Sequence, residues 1–226
     1  MFLHGYLADK RSFNLQLKFF KRYFDCYAVD LPGFGENKDM PYPYSLDDYI
    51  NFVKEYMQKN NLVKPDVIAH SFGARIAIKA SANDPELFNK LVITGGAGLK
   101  PKRKLSYYIK KIKFFFLKRF VKREKLKKYY SSDYLALSPV MRESFKKIIS
   151  ENLDKTSKKV RNKTLLIYGR NDTETPIYMA KKYKKYISNS TLLTVDGGHF
   201  CFLDSPNVFN FAVREFLLKK EKICRL

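Results

Sequence analysis

Ser71 stands in Val67-Ile68-Ala69-His70-Ser71-Phe72-Gly73-Ala74-Arg75, where an apolar run ends and a helical pattern begins. Ala69 and Gly73, two positions to either side, leave room for a tight strand-to-helix turn, a nucleophile elbow that lifts the hydroxyl above its surroundings. A serine hydroxyl is a poor nucleophile at its free pKa, so it needs a base, and the base needs an orienting acid. Both residue types follow in the chain. Asp172 lies in Gly169-Arg170-Asn171-Asp172, directly after the apolar run Leu165-Leu166-Ile167-Tyr168, and His199 lies in Asp196-Gly197-Gly198-His199 after the run from Thr191 to Val195. Near the start, His4-Gly5-Tyr6 follows another short apolar run, where a backbone N–H can point at a developing oxyanion.

Such residues need a scaffold that brings their loops together. Short apolar or β-branched runs at Met1 to His4, Phe24 to Asp30, Asp66 to His70, Lys90 to Thr94, Thr164 to Tyr168 and Thr191 to Val195 read as strands. They alternate with helical patterns, which predicts an α/β fold with a mostly parallel sheet of about six strands flanked by helices. Ser45-Leu46-Asp47-Asp48 starts one helix in the manner of a capping box, and Leu46, Tyr49, Ile50, Val53 and Met57 then share a face. The helix after Ser71 stops near Asn83-Asp84-Pro85, and Ser205-Pro206 supplies a capping residue and a first-turn proline for the last helix. Between Gly98 and about Arg161 the alternation breaks. Leu105, Tyr108, Ile109, Ile112, Phe115, Phe116, Phe120 and Val121 keep helical spacing there, and Pro139 to Leu153 reads as a second helix, so the segment is a helical insertion between two strands.

The 226 residues, 45% of them hydrophobic, suffice for one such domain with its insertion. No uncharged apolar run reaches the ~18 residues of a membrane span, and the N-terminus lacks the basic-then-apolar order of a secretory signal. Cys26, Cys201 and Cys224 are odd in number and widely spaced, which argues against a disulfide framework or a zinc site and for a reducing, cytoplasmic setting. With three histidines, all inside the motifs above, no metal is expected. The formal net charge is +22, and from Lys100 to Lys128 fourteen Lys or Arg stand against Glu124 alone. That excess favours acidic partners, and an amphipathic basic helix suits an anionic membrane surface. Nucleic acid is the weaker reading, because no recognised binding motif accompanies the charge.

The order Ser71, Asp172, His199, each just past a predicted strand, resembles the α/β-hydrolase family over nearly the whole chain. Asp30-Leu31-Pro32-Gly33-Phe34-Gly35 is similar to the family's turn after its fourth strand, and the insertion matches the lid carried after the sixth. The resemblance implies a core of residues 1–98 and 162–226 with a helical lid at 99–161. It implies a Ser71, His199, Asp172 triad with the backbone N–H groups of Tyr6 and Phe72 as oxyanion donors. Glu174 is the rival to Asp172, and the family match favours Asp172. His4 and Gly5 would support the oxyanion loop, Gly73 the elbow, and His70 would pack without moving a proton; Asp30 and Asp204 would be turn and helix-start residues. Two departures stand out. Ala69 replaces the elbow's first glycine, a small change that should leave the turn intact. The family's first two strands, which usually precede the His-Gly motif, are not apparent, so Phe24 to Asp30 should form a sheet edge prone to pairing with a second copy unless an upstream extension covers it.

The expected activity is therefore cofactor-free hydrolysis of a small acyl ester or thioester. A carbon–carbon hydrolase or an acyltransferase would share the same triad. A non-catalytic basic module docking on an anionic membrane is the alternative of another class, and peripheral membrane attachment is compatible with the charge.

Overall fold

The computed structural model describes residues 1–102 and 132–219. The expected amphipathic stripe from Leu105 to Val121, and most of the basic run around it, lies outside the described residues. Six runs pair as strands: β1 (Phe2–Leu3), β2 (Ala28–Val29), β3 (Val67–His70), β4 (Leu91–Thr94), β5 (Thr164–Gly169) and β6 (Ser190–Val195). Their order is β2-β1-β3-β4-β5-β6, and every neighbouring pair is parallel. The expected edge is occupied by β2, but only two residues pair there. The N–H groups of Tyr23 and Phe24 still bond to the Phe20 carbonyl, so the chain is finishing the preceding helix where an extended strand was expected.

Alternation along each strand builds two cores, because successive side chains point to opposite faces of a sheet. Leu3, Val67, Ala69, Leu91, Ile93, Leu166 and Tyr168 face one core. Phe2, Ile68, Val92, Leu165 and Ile167 face the other. The first core is covered by α2 (Leu46–Lys59), α3 (Phe72–Asn83) and α6 (Ile177–Tyr186), the second by α1 (Asn14–Phe20) and α8 (Pro206–Leu218). Burial of both faces is what turns these strands into short, nearly continuous apolar runs.

Helix starts follow local chemistry. Ser45 and Asp48 form the expected capping box on α2, and Leu46, Tyr49, Ile50, Val53 and Met57 are its buried residues. Pro206 does open α8, yet Ser205 does not cap it: its hydroxyl donates to the Asp196 carbonyl instead, at 2.8 Å. Asp204 likewise closes the short helix α7 (Cys201–Asp204) and accepts a bond from the Gly198 N–H, rather than starting a helix. The long loop before α7 has its own polar groups to satisfy, and the nearest side chains are recruited to it.

The insertion between β4 and β5 contains α4 (Ser132–Ala136) and α5 (Pro139–Ser150) among the described residues. Ser138 caps α5 by accepting from the Met141 N–H. Among the described residues no helix is long and apolar enough to cross a membrane.

Candidate active site

Ser71 directly follows β3 and holds φ 47° and ψ −102°, a conformation that few residues with a Cβ adopt. Its N–H donates to the Thr94 carbonyl and its carbonyl accepts from the Ala97 N–H, so the neighbouring strand end fixes the turn from both sides. The turn brings α3 close against β1. A Cβ at Gly73 would lie 2.3 Å from the Leu3 carbonyl oxygen, a backbone atom that cannot step aside. Ala69 is fully buried in the strand below, and the turn forms with alanine in that position.

Two further loops converge from β5 and β6. They lie so close that a Cβ at Gly169 would meet the Gly198 carbonyl oxygen at 2.2 Å, and the Asn171 N–H donates to the Gly197 carbonyl. Asp172 and His199 are thereby brought face to face, with His199 Nδ1 at 2.9 Å from Asp172 Oδ2. The same carboxylate accepts from the Thr175 hydroxyl at 2.7 Å and from the N–H groups of Glu174 and Thr175. Burial opposes the charge on Asp172, but the bonds from His199 and Thr175 outweigh it and hold the carboxyl at about 2. An ionised partner at Nδ1 places the ring's proton there and leaves Nε2 as an acceptor.

Thr175 is a site residue that motif reading missed. Its signal was present in Asp172-Thr173-Glu174-Thr175, since an aspartate often accepts from backbone N–H groups two and three residues on. Glu174 reaches the opposite side of the imidazole: its Oε2 is 3.4 Å from His199 Nε2, on a largely exposed side chain. Ser71 Oγ has no hydrogen-bond partner among the described residues, but Ser71 and His199 line the same cavity, of about 390 Å³. Tyr6, Tyr134, Phe145 and Phe200 give that cavity aromatic walls.

The side of the cavity next to the β1 loop is organised by His4, Gly5 and His70. His4 Nδ1 donates to the Gly5 carbonyl at 2.7 Å while its Nε2 accepts from the Leu31 N–H, so one buried ring joins the β1 and β2 loops. Gly5 packs against His70, where a Cβ would lie 2.7 Å from Nδ1. His70 donates from Nε2 to the His199 carbonyl at 3.1 Å and packs against the rings of His199, Phe200 and Phe202. Burial, reinforced by His199, pulls its pKa down to about 3. The ring stays neutral near pH 7. The Phe72 N–H begins α3 and so has no preceding helical carbonyl to bond. The Tyr6 side chain packs on Phe34, Phe72 and Phe145, and its hydroxyl donates to the Met141 carbonyl in α5. A larger hollow of about 550 Å³ lies at the other end of the sheet beside Met1 and Asp66, away from these residues.

Comparison with known proteins agrees with this fold. Residues 1–210 match the alpha/beta hydrolase family. The uncharacterized hydrolase YugF of Bacillus subtilis is 23% identical, over 95% of this chain and 88% of its own. The pimeloyl-[acyl-carrier protein] methyl ester esterase of Wigglesworthia glossinidia brevipalpis is 25% identical, over 97% and 93%. Among solved structures, the esterase from Exiguobacterium antarcticum superposes with a TM-score of 0.76 at 21% identity, covering 96% of this chain and 91% of that one. With a family match spanning most of its length, and an Asp172–His199 pair set beside a nucleophile elbow, the chain belongs to the alpha/beta hydrolase family and carries serine-hydrolase machinery.

Proposed function

We propose that this protein hydrolyses a carboxylic ester or thioester through Ser71, His199 and Asp172. The observation that carries the reading is the 2.9 Å Asp172–His199 bond opening onto the same cavity as the strained Ser71 turn. Ser71 Oγ attacks the acyl carbon as His199 Nε2 takes its proton, and Asp172 stabilises the imidazolium through Nδ1. The oxyanion accepts from the Phe72 and Tyr6 N–H groups, donors of a kind worth roughly 3 kcal/mol each. Collapse expels the alcohol or thiol, which leaves with the proton from Nε2. Water then attacks the acyl-enzyme with Nε2 as base, releasing the acid and restoring Ser71. For this cycle Nε2 must leave Glu174 and approach Ser71 as substrate enters, a tightening common to sites without substrate.

The aromatic walls suit an apolar acyl group, in keeping with the esterase names of two relatives above. In this reading residues 1–98 and 162–226 carry the chemistry and 99–161 form the lid. The lid's basic sequence docks on anionic membrane, and the β2 edge offers a surface for a homodimer. The direct test is labelling with a fluorophosphonate alongside nitrophenyl ester cleavage. Wild type should label and turn over, and Ser71→Ala should do neither while remaining folded. Turnover that survives in Ser71→Ala would refute the mechanism.

A further inference from the structure

We infer that Arg75 is a positioning residue that sets how long an acyl chain the Ser71 cavity accepts, because it fastens α5 in place as the cavity's wall. The inference rests on the serine-hydrolase reading and adds a residue to it. Arg75 lies one turn beyond Ser71 on α3, so it shares the helix that presents the nucleophile. Its Nη1 donates to the Ile148 and Glu151 carbonyls, each at 2.9 Å. These belong to the C-terminal end of α5, where the final turn leaves carbonyls without helical partners and a cation is favoured by the helix dipole.

Arg142 ties α5 to the Tyr134 and Leu135 carbonyls of α4, and further attachments run to the core. Lys79, one turn further along α3, bridges Asp47 at 2.8 Å and Glu151 at 2.7 Å. Ser144 donates to the Tyr44 carbonyl at 2.8 Å, and Lys147 to the Pro43 carbonyl at 2.7 Å. At the other end, the Met141 carbonyl accepts from Tyr6. Together these bonds hold α5 along its length, so it behaves as a fixed wall.

The wall reaches the chemistry through Phe145. That side chain projects from the middle of α5, lines the Ser71 cavity, and packs on the Tyr6 ring with centroids 5.0 Å apart. A drift of α5 would therefore move the surface that faces the acyl chain. Ser71 is held by the β4 strand end, Asp172 and His199 by each other, and the backbone beside Tyr6 by the Gly5 carbonyl, which accepts from His4 and from the Ala8 N–H, so a drift of α5 would act first on the Phe145 wall and the Tyr6 ring. Arg75 acts on substrate fit more than on the bond-breaking step.

The experiment compares wild type with Arg75→Met, Arg75→Lys and Ser144→Ala on nitrophenyl esters from acetate to dodecanoate, with the thermal midpoint of each. Arg75→Met should raise KM about tenfold at the chain length wild type prefers and flatten the preference, with kcat on acetate within about threefold. Arg75→Lys, which keeps a charged donor, should retain more of the preference. Ser144→Ala removes another attachment of the same helix and should shift the profile in the same direction, less far. A wild-type chain-length profile in Arg75→Met would overturn the inference, as would a kcat loss equal at every chain length that tracks the fall in midpoint. If Arg75→Met does not fold, Ser144→Ala decides: a flattened profile supports the assignment and an unchanged one overturns it. Wild type that cleaves no ester at all would instead remove the functional reading beneath it.

Discussion

His199 sits between two carboxylates in different settings. Asp172 is buried and accepts four hydrogen bonds, whereas Glu174 is exposed and meets Nε2, the nitrogen that serves Ser71 in the proposed mechanism. Asp172→Asn should therefore cut kcat by about 10⁴, as loss of the orienting acid does elsewhere, while Glu174→Gln should change kcat by less than about tenfold. Steady-state kinetics of the two variants would expose a reversed assignment. Thr175→Val should fall between them, because it removes the hydroxyl that orients Asp172 without removing the charge.

His70 and Asp172 make stability pH-dependent. An unfolded His70 protonates near 6.5, but the folded ring resists until about 3, so its contribution is complete above 6.5 and is lost as pH falls towards 3. Asp172 titrates at 3.8 when free and at about 2 when folded, so its contribution is present above 3.8 and disappears as pH falls through 2. Both act in one direction. The urea midpoint should decline steadily from pH 7 to pH 4, and His70→Gln should flatten that stretch. A wild-type midpoint that is level from pH 7 to pH 4 would contradict the burial of a neutral His70.

At the scale of elements, the elbow depends on how closely α3 approaches β1. Gly73→Ala places a methyl 2.3 Å from a backbone oxygen, and relieving that contact must separate the helix from the strand. The expected cost is about 3 kcal/mol, together with lost activity, readable in urea unfolding and ester turnover. A stable, active Gly73→Ala would mean that the turn has slack. Several elements were legible beforehand: the α2 capping box and its buried face follow from residues four or fewer apart. Others were not. The helices α1 and α6 had no distinctive start signal, since neither has a side-chain cap. Ser205 had the sequence of a cap but donates to a carbonyl nine residues back, in a loop whose path depends on the whole site.

The molecule as a whole carries +22, of which +13 falls between Lys100 and Lys128. Each basic residue near an anionic membrane contributes roughly 1 kcal/mol, and salt screens the attraction. Co-sedimentation with anionic vesicles should be strong at low salt, weak at high salt, and reduced when Lys110, Lys111, Lys113 and Lys118 are changed to glutamine. Equal partitioning onto neutral vesicles would leave the charge without this role.

Sequence alone determined the alternation of strands and helices, the six apolar runs and the presence of Ser71, Asp172 and His199 after three of them. These features are local: strand burial, small residues about a serine and capping patterns all act within a few positions of the chain. The pairing of Asp172 with His199 spans 27 residues, and only the close packing of the β5 and β6 loops brings it about. Only the tertiary structure could show Glu174 at Nε2, His70 holding the His199 carbonyl, and Arg75 gripping the end of α5. Each joins groups distant in sequence or set by loop geometry, and no periodicity encodes such a contact. The physical reason is that hydrogen bonds between loops are chosen by which backbone groups packing leaves unsatisfied, a choice made after the sheet has assembled.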